Sequence, residues 1–159
     1  MPIRTWLTDA LGRIRPDSRP ARRLASPWPA ARGERLSFQL AVRFDAPPRH
    51  EGVLPVAVAC QPDAGLAARV RRVGFVPVPH FNPPVLPDHS DGPLPGFVGD
   101  PLFEETAANL WPGETQAFWL TVNVAPDCPP GRRQVLLTAA FGPRGRRQHR
   151  LAIDVRPIT

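Results

Sequence analysis

The side chains in this chain that could do acid–base or metal chemistry crowd into one stretch. Residues 79–110 carry His80, Asp88, His89, Asp91, Asp100, Glu104 and Glu105. A metal site or an acid–base site could be assembled from such a set. Glu104 and Glu105 are sequence neighbours, however, and a catalytic carboxylate pair needs separation across a substrate. His89 and Asp91 could share one ion, but no His-x-His or His-x-x-x-His pairing accompanies them. A plainer reading accounts for the whole group: polar residues that keep a long loop in water. No cofactor and no metal are expected.

Nucleophiles are equally bare of context. None of the four serines lies in a Gly-x-Ser-x-Gly turn, and Cys128 sits in a Pro-rich turn instead of at a helix start. No Gly-rich phosphate loop is present. Cys60 and Cys128 lack metal-ligand spacing. Two free thiols are the default, with a Cys60–Cys128 disulfide left open. The four tryptophans, Trp6, Trp28, Trp111 and Trp119, could stack on sugar rings. Packing in the core or under a loop is the more ordinary use of an indole, because its burial stabilises strongly. No acid–nucleophile constellation exists, and no hydrolase activity is expected from these residues.

The elements that must position any site are strands. A chain of 159 residues has the size of one domain, so a single β-domain over 1–159 is expected. Its 23 prolines and 12 glycines fall between alternating apolar runs, which indicates many turns. Residues 111–124 show the pattern best. Trp111-Pro112-Gly113 makes a turn, then Phe118, Leu120, Val122 and Val124 take one face and Ala117, Trp119, Thr121 and Asn123 the other. A second turn runs from Ala125 through Pro129 and Pro130 to Gly131. Residues 34–44 repeat the alternation with Leu36, Phe38, Leu40, Val42 and Phe44, which implies a sheet with one wet face.

Further strands are expected at residues 53–60, where Pro55 hints at an edge or bulge, and at 67–78, with Gly74 as a bend. Two more follow at 134–141 and 147–155, joined by a hairpin turn at residues 142–145. The N-terminal stretch is ambiguous. Ile3, Leu7, Leu11 and Ile14 fit one helical face, yet two short strands, Ile3–Leu7 and Gly12–Arg15, around Thr8-Asp9 fit as well and better suit a short stretch in an otherwise β chain. Residues 16–32 read as a loop or extended edge, and residues 79–110 as one long Pro-rich loop. The fold expected is an all-β, antiparallel two-sheet sandwich of immunoglobulin or fibronectin-III type with about six to eight strands.

Charge and hydropathy exclude some partners. The formal charge is +6, and all 20 basic residues are arginine. They are scattered as pairs with no long block, which reads as a solvated surface and not as a nucleic-acid interface. No apolar run approaches the ~20 residues of a membrane span. The N-terminus lacks a secretory apolar region of about 7–15 residues, so a cytoplasmic location is expected.

Three stretches resemble a known family. Gly33-Glu34-Arg35-Leu36-Ser37-Phe38-Gln39-Leu40 resembles the strand that opens a β-sandwich domain in bacterial glycoside hydrolases similar to β-N-acetylgalactosaminidases. Asp100-Pro101-Leu102 resembles an element of that domain's long loop. Residues 112–122, with Pro126-Asp127 and Pro130-Gly131, resemble its most specific strand and turn. Family members usually have Asn where Gly33 stands and Pro where Gly99 stands. In that family the sandwich precedes a barrel bearing the catalytic carboxylates. The resemblance therefore implies a fragment of such an enzyme or a barrel-less relative, with no catalytic residue to carry over.

The resulting expectation is a non-catalytic accessory domain that docks on or supports a catalytic barrel. The alternative is a self-standing carbohydrate-binding or protein-interaction module. Partners expected are the barrel or another protein, with carbohydrate under the alternative, and neither nucleic acid nor membrane. The expected docking or ligand surface comprises His80, Phe81, Phe97, Asp100, Phe103, Trp111 and Trp119. The long loop carries too many apolar side chains to leave in water without a cover.

Overall fold

The computed structural model describes residues 3–20, 24–45, 52–79 and 96–158. Ten strands form two five-stranded sheets among them. In chain order they are β1 (Ile3–Asp9), β2 (Trp28–Ala30), β3 (Arg35–Phe44), β4 (Leu54–Pro62) and β5 (Leu66–Val78). Then follow β6 (Gly96–Phe103), β7 (Ala107–Leu110), β8 (Thr115–Val124), β9 (Gly131–Ala140) and β10 (Arg146–Val155). Sheet A runs β1-β3-β8-β5-β6 and sheet B runs β2-β10-β9-β4-β7. Every pairing is antiparallel except β2 with β10. The architecture is an all-β sandwich.

The alternating apolar stripes meet between the sheets. Leu36, Phe38, Leu40, Val42 and Phe44 of β3 are buried there with Phe118, Leu120, Val122 and Val124 of β8. Sheet B contributes Val56, Val58, Val135, Leu137, Ile153 and Val155. Phe38 stands directly across from Leu120 in the β3–β8 register. Trp28 meets the Phe38 ring edge-on, with centroids 5.4 Å apart.

One turn device introduces both central strands. In residues 31–34 the Ala31 N–H donates to Glu34 Oε2 at 2.6 Å. In residues 111–114 the Trp111 N–H donates to Glu114 Oε2 at 2.8 Å. Each turn places a glycine just before its glutamate, with φ of +73° at Gly33 and +86° at Gly113. Glycine takes that left-handed conformation at no steric cost, whereas most residues with a Cβ rarely adopt it. The Glu carboxylate satisfies a backbone donor that would otherwise be free at the turn.

β3 departs from expectation, because its second face is not wet. Residues 10–18 cross sheet A as a strap and bury Gln39, Ala41, Arg43 and Thr115 beneath it. Gln39 Nε2 donates to the carbonyls of Asp9 (3.3 Å) and Gly12 (2.6 Å). Arg43 Nη1 donates to the Ser18 carbonyl and to Thr115 Oγ1, both at 3.2 Å, and its Nε meets Asp45 Oδ1 at 2.6 Å. The Thr115 N–H donates to Pro16 O at 2.7 Å. Polar residues at these positions therefore mark a covered face, since the strap's carbonyls supply their partners. Under the strap a second apolar cluster gathers Trp6, Ile14, Ala41, Val73 and Ala117. Residues 3–9 are strand, and residues 12–15 belong to the strap instead of a second strand.

The stretch expected as one loop over 79–110 also contains structure. Residues 96–103 form β6 and residues 107–110 form β7, which with the short β2 brings the count to ten. β6 contains two glycines and Pro101, a composition that suits only an edge strand. Pro55 sits in the part of β4 that precedes its ladder with β9, which begins at Ala57. The β5–β6 register shifts between Val73 and Phe75, so the bend at Gly74 is a bulge.

Candidate docking surface

β6 forms the outer edge of sheet A, and it overhangs the sandwich. Phe97 is 50% exposed, and Val98 and Phe103 are 41% exposed each. Successive residues of a strand point to opposite faces. Exposure of both Phe97 and Val98 therefore means that neither face of this end of β6 is covered by the described residues. Val76 of β5 pairs with Val98 and is exposed as well, extending the apolar patch on to the neighbouring strand. Asp100 is exposed on the same edge strand.

The far end of β6 is latched in place. The Arg72 guanidinium lies 4.5 Å over the Phe103 ring. Its Nε and Nη2 reach Glu105 Oε2 at 2.9 and 2.6 Å. Arg69 pairs with Glu104 beside it. Glu104 and Glu105 thus tie the β6–β7 turn to β5. Such exposed pairs contribute little each, about 0–1 kcal/mol.

Behind β6 lies a hollow of about 430 Å³ on the outer face of sheet A. Trp119, Gln39, Val98, Asp100 and the strap residues Gly12 and Ile14 line it. The Gln39 amide hydrogens are already given to strap carbonyls. Trp119 packs against the cluster of Trp6, Ile14 and Val73. Its indole is partly buried and also lines the hollow. The Arg71 Nε beside it in the register is buried without a partner.

The expected surface residues thus fall into separate places. Phe97, Asp100 and Phe103 come together on β6, with Trp119 behind them. Trp111 is 60% exposed on the turn before β8, held to the end of β3 by the Gly113 N–H on Phe44 O at 2.7 Å. His80 and Phe81 lie outside the described residues, as do Asp88, His89 and Asp91. Val76 belongs to the patch but reads in the sequence as an ordinary strand residue; its contiguity with Phe75 and Pro77, which breaks the alternation, was the available signal.

No group of three or more His, Cys, Asp or Glu that could hold a metal occurs among the described residues. Both cysteines are free, and Cys128 is buried. Burial pushes the Cys60 thiol above its ordinary value by disfavouring the charged form. That change makes it a poorer nucleophile at neutral pH.

No protein-family model and no curated protein matches the sequence. Solved structures do match. One is a family 123 glycoside hydrolase from Clostridium perfringens, studied for glycolipid glycan hydrolysis. It aligns over 99% of this chain with a TM-score of 0.72 at 8% identity. The sandwich is thus the fold of a domain within that hydrolase. The aligned region covers 28% of the hydrolase chain. More distant likenesses are the seventh ScaB type I cohesin of Pseudobacteroides cellulosolvens and the pilus backbone of Streptococcus pneumoniae. The cohesin has a TM-score of 0.36 at 11% identity, covering 83% of this chain and 88% of its own. The pilus protein has a TM-score of 0.43 at 9% identity, covering 89% of this chain and 32% of its own.

Proposed function

We propose that these residues are a non-catalytic accessory β-sandwich domain of a glycoside hydrolase-like protein, and that the β5–β6 edge docks it on a catalytic barrel. The observation that carries this reading is the double exposure of Phe97 and Val98 on an edge strand. An open edge with apolar side chains is a hazard that proteins usually blunt with charge or cover with another element. A fold shared with one domain of a longer hydrolase chain supports the same reading. Phe97, Val98 and Phe103 supply the apolar anchors, Asp100 a polar rim, and Arg72 holds Phe103 in place.

The test is binding to separately expressed family 123-like barrels from the source genome, measured by calorimetry. A one-to-one complex is expected. Phe97→Asp combined with Phe103→Asp should weaken it by about 2 kcal/mol or more, as loss of central anchors does. Binding unaffected by this pair, or no binding to any such barrel, would remove the β5–β6 edge as the docking face.

Catalysis is expected to be absent. The purified 159 residues should not turn over an aryl β-N-acetylgalactosaminide. Turnover that disappears in Glu104→Gln or Glu105→Gln would overturn the non-catalytic reading, because both carboxylates are here held by surface arginines.

A further inference from the structure

The formal excess of positive charge resides in one hairpin. Residues 131–156, which span β9 and β10, hold seven of the 20 arginines and one of the 14 acidic residues, and that difference equals the whole +6 of the chain. The inner face of the hairpin is fixed by buried Val135, Leu137, Leu151 and Ile153. Alternation therefore turns Arg132, Arg146 and Arg150 to the outer face of sheet B, where all three are exposed. Arg150 pairs in the register with Leu136, and Arg132 with Asp154. The three arginine backbone positions thus follow one another at four-residue steps along the ribbon, about 13 Å apart at 3.3 Å per residue.

Little in the hairpin neutralises them. Asp154, the hairpin's acidic residue, is engaged by Arg156 at 2.9 Å. No ion pair to Arg132, Arg146 or Arg150 occurs among the described residues. Between the arginines lies a flat row of neutral hydrogen-bonding groups, Gln134, Thr138 and Gln148, with Gln148 Nε2 on Thr138 Oγ1 at 3.3 Å. The face has no aromatic side chain on which a base could stack, and its one large apolar side chain, Leu136 opposite Arg150, is partly buried and too little to enter a lipid surface.

We propose that the outer face of the β9–β10 hairpin binds a linear polyanionic glycan. Its sulfate or carboxylate groups would lie on Arg146, Arg150 and Arg132, and its hydroxyls on the glutamine and threonine row. Guanidinium suits such anions because its donors form a planar fork that grips two oxygens at once. The site lies on sheet B and does not depend on docking through the β5–β6 edge of sheet A.

The probe is a heparin-derived dodecasaccharide titrated calorimetrically into the whole chain. Binding is expected, and it should weaken as salt rises. Arg146→Gln with Arg150→Gln should reduce the affinity by about tenfold, or ~1.4 kcal/mol. Arg19→Gln with Arg35→Gln removes the same charge from exposed positions elsewhere and should leave it unchanged. Equal weakening by the two pairs would show an effect of net charge alone and overturn the proposal. So would absence of binding, or tighter binding to a single-stranded oligonucleotide or to phosphatidylserine vesicles than to the dodecasaccharide.

Discussion

Phe38→Ala should cost about 3–5 kcal/mol of unfolding free energy, the range for deleting a fully buried phenylalanine. Phe38 has no solvent exposure, stands across from Leu120 and receives the edge of Trp28. Its removal leaves a cavity between two sheets whose strands are held on both sides by backbone ladders, so collapse is limited. Leu120→Ala should cost about 2–5 kcal/mol. The two side chains touch the same space, and the double variant should lose less than the sum of the singles. Urea unfolding with an unchanged m-value measures these losses. A loss below about 1 kcal/mol for Phe38→Ala would mean that the sandwich core is not where the strand phase puts it.

Gly65→Ala should be destabilising by about 2–5 kcal/mol, through two independent effects. Gly65 has φ of +83°, which costs a residue with a Cβ about 1–2 kcal/mol. A Cβ there would also lie 2.6 Å from Cys128 Sγ, and Cys128 is buried. Overpacking of that kind costs typically 1–3 kcal/mol. Combining Gly65→Ala with Cys128→Ala separates the two effects. The second substitution makes room for the new methyl and should return part of the loss, leaving the backbone cost. If Gly65→Ala alone proves neutral in thermal or urea unfolding, the turn between β4 and β5 is not built as described.

The sandwich was legible wherever one face of a strand differs sharply from the other. β3, β8, β9 and β10 announce themselves through Leu36 to Phe44, Phe118 to Val124, Val135 to Phe141 and Leu151 to Val155, and those residues are the core. β6 was illegible for a physical reason. An edge strand whose Phe97–Asp100 end the described residues leave exposed has no inside and outside to alternate there, and its glycines and Pro101 look like loop residues. β7 and β2 are too short to show a period. The strap was hidden because, Ile14 aside, its hold on sheet A is polar. Gln39 and Arg43 look like solvent-facing residues until the carbonyls of Asp9, Gly12 and Ser18 are seen to meet them. The docking surface was half legible. Phe97 and Phe103 stood out as apolar residues in a proline-rich stretch, but whether they pack inward depends on the position of β6 in sheet A. Trp119, on the face opposite the core stripe, reads in the sequence as packed under a loop, and it does pack, partly buried, against Trp6, Ile14 and Val73.

Amide hydrogen exchange along β6, with and without the catalytic barrel, tests the docking claim most directly. In the isolated domain, amides of Gly96–Phe103 that face away from β5 should exchange rapidly, while those of Phe38 and Leu120 stay protected. Adding the barrel should slow exchange in β6 and leave the central strands unchanged. A β6 already as protected as Phe38 and Leu120 in the isolated domain, or one whose exchange the barrel does not alter, would contradict docking through this edge.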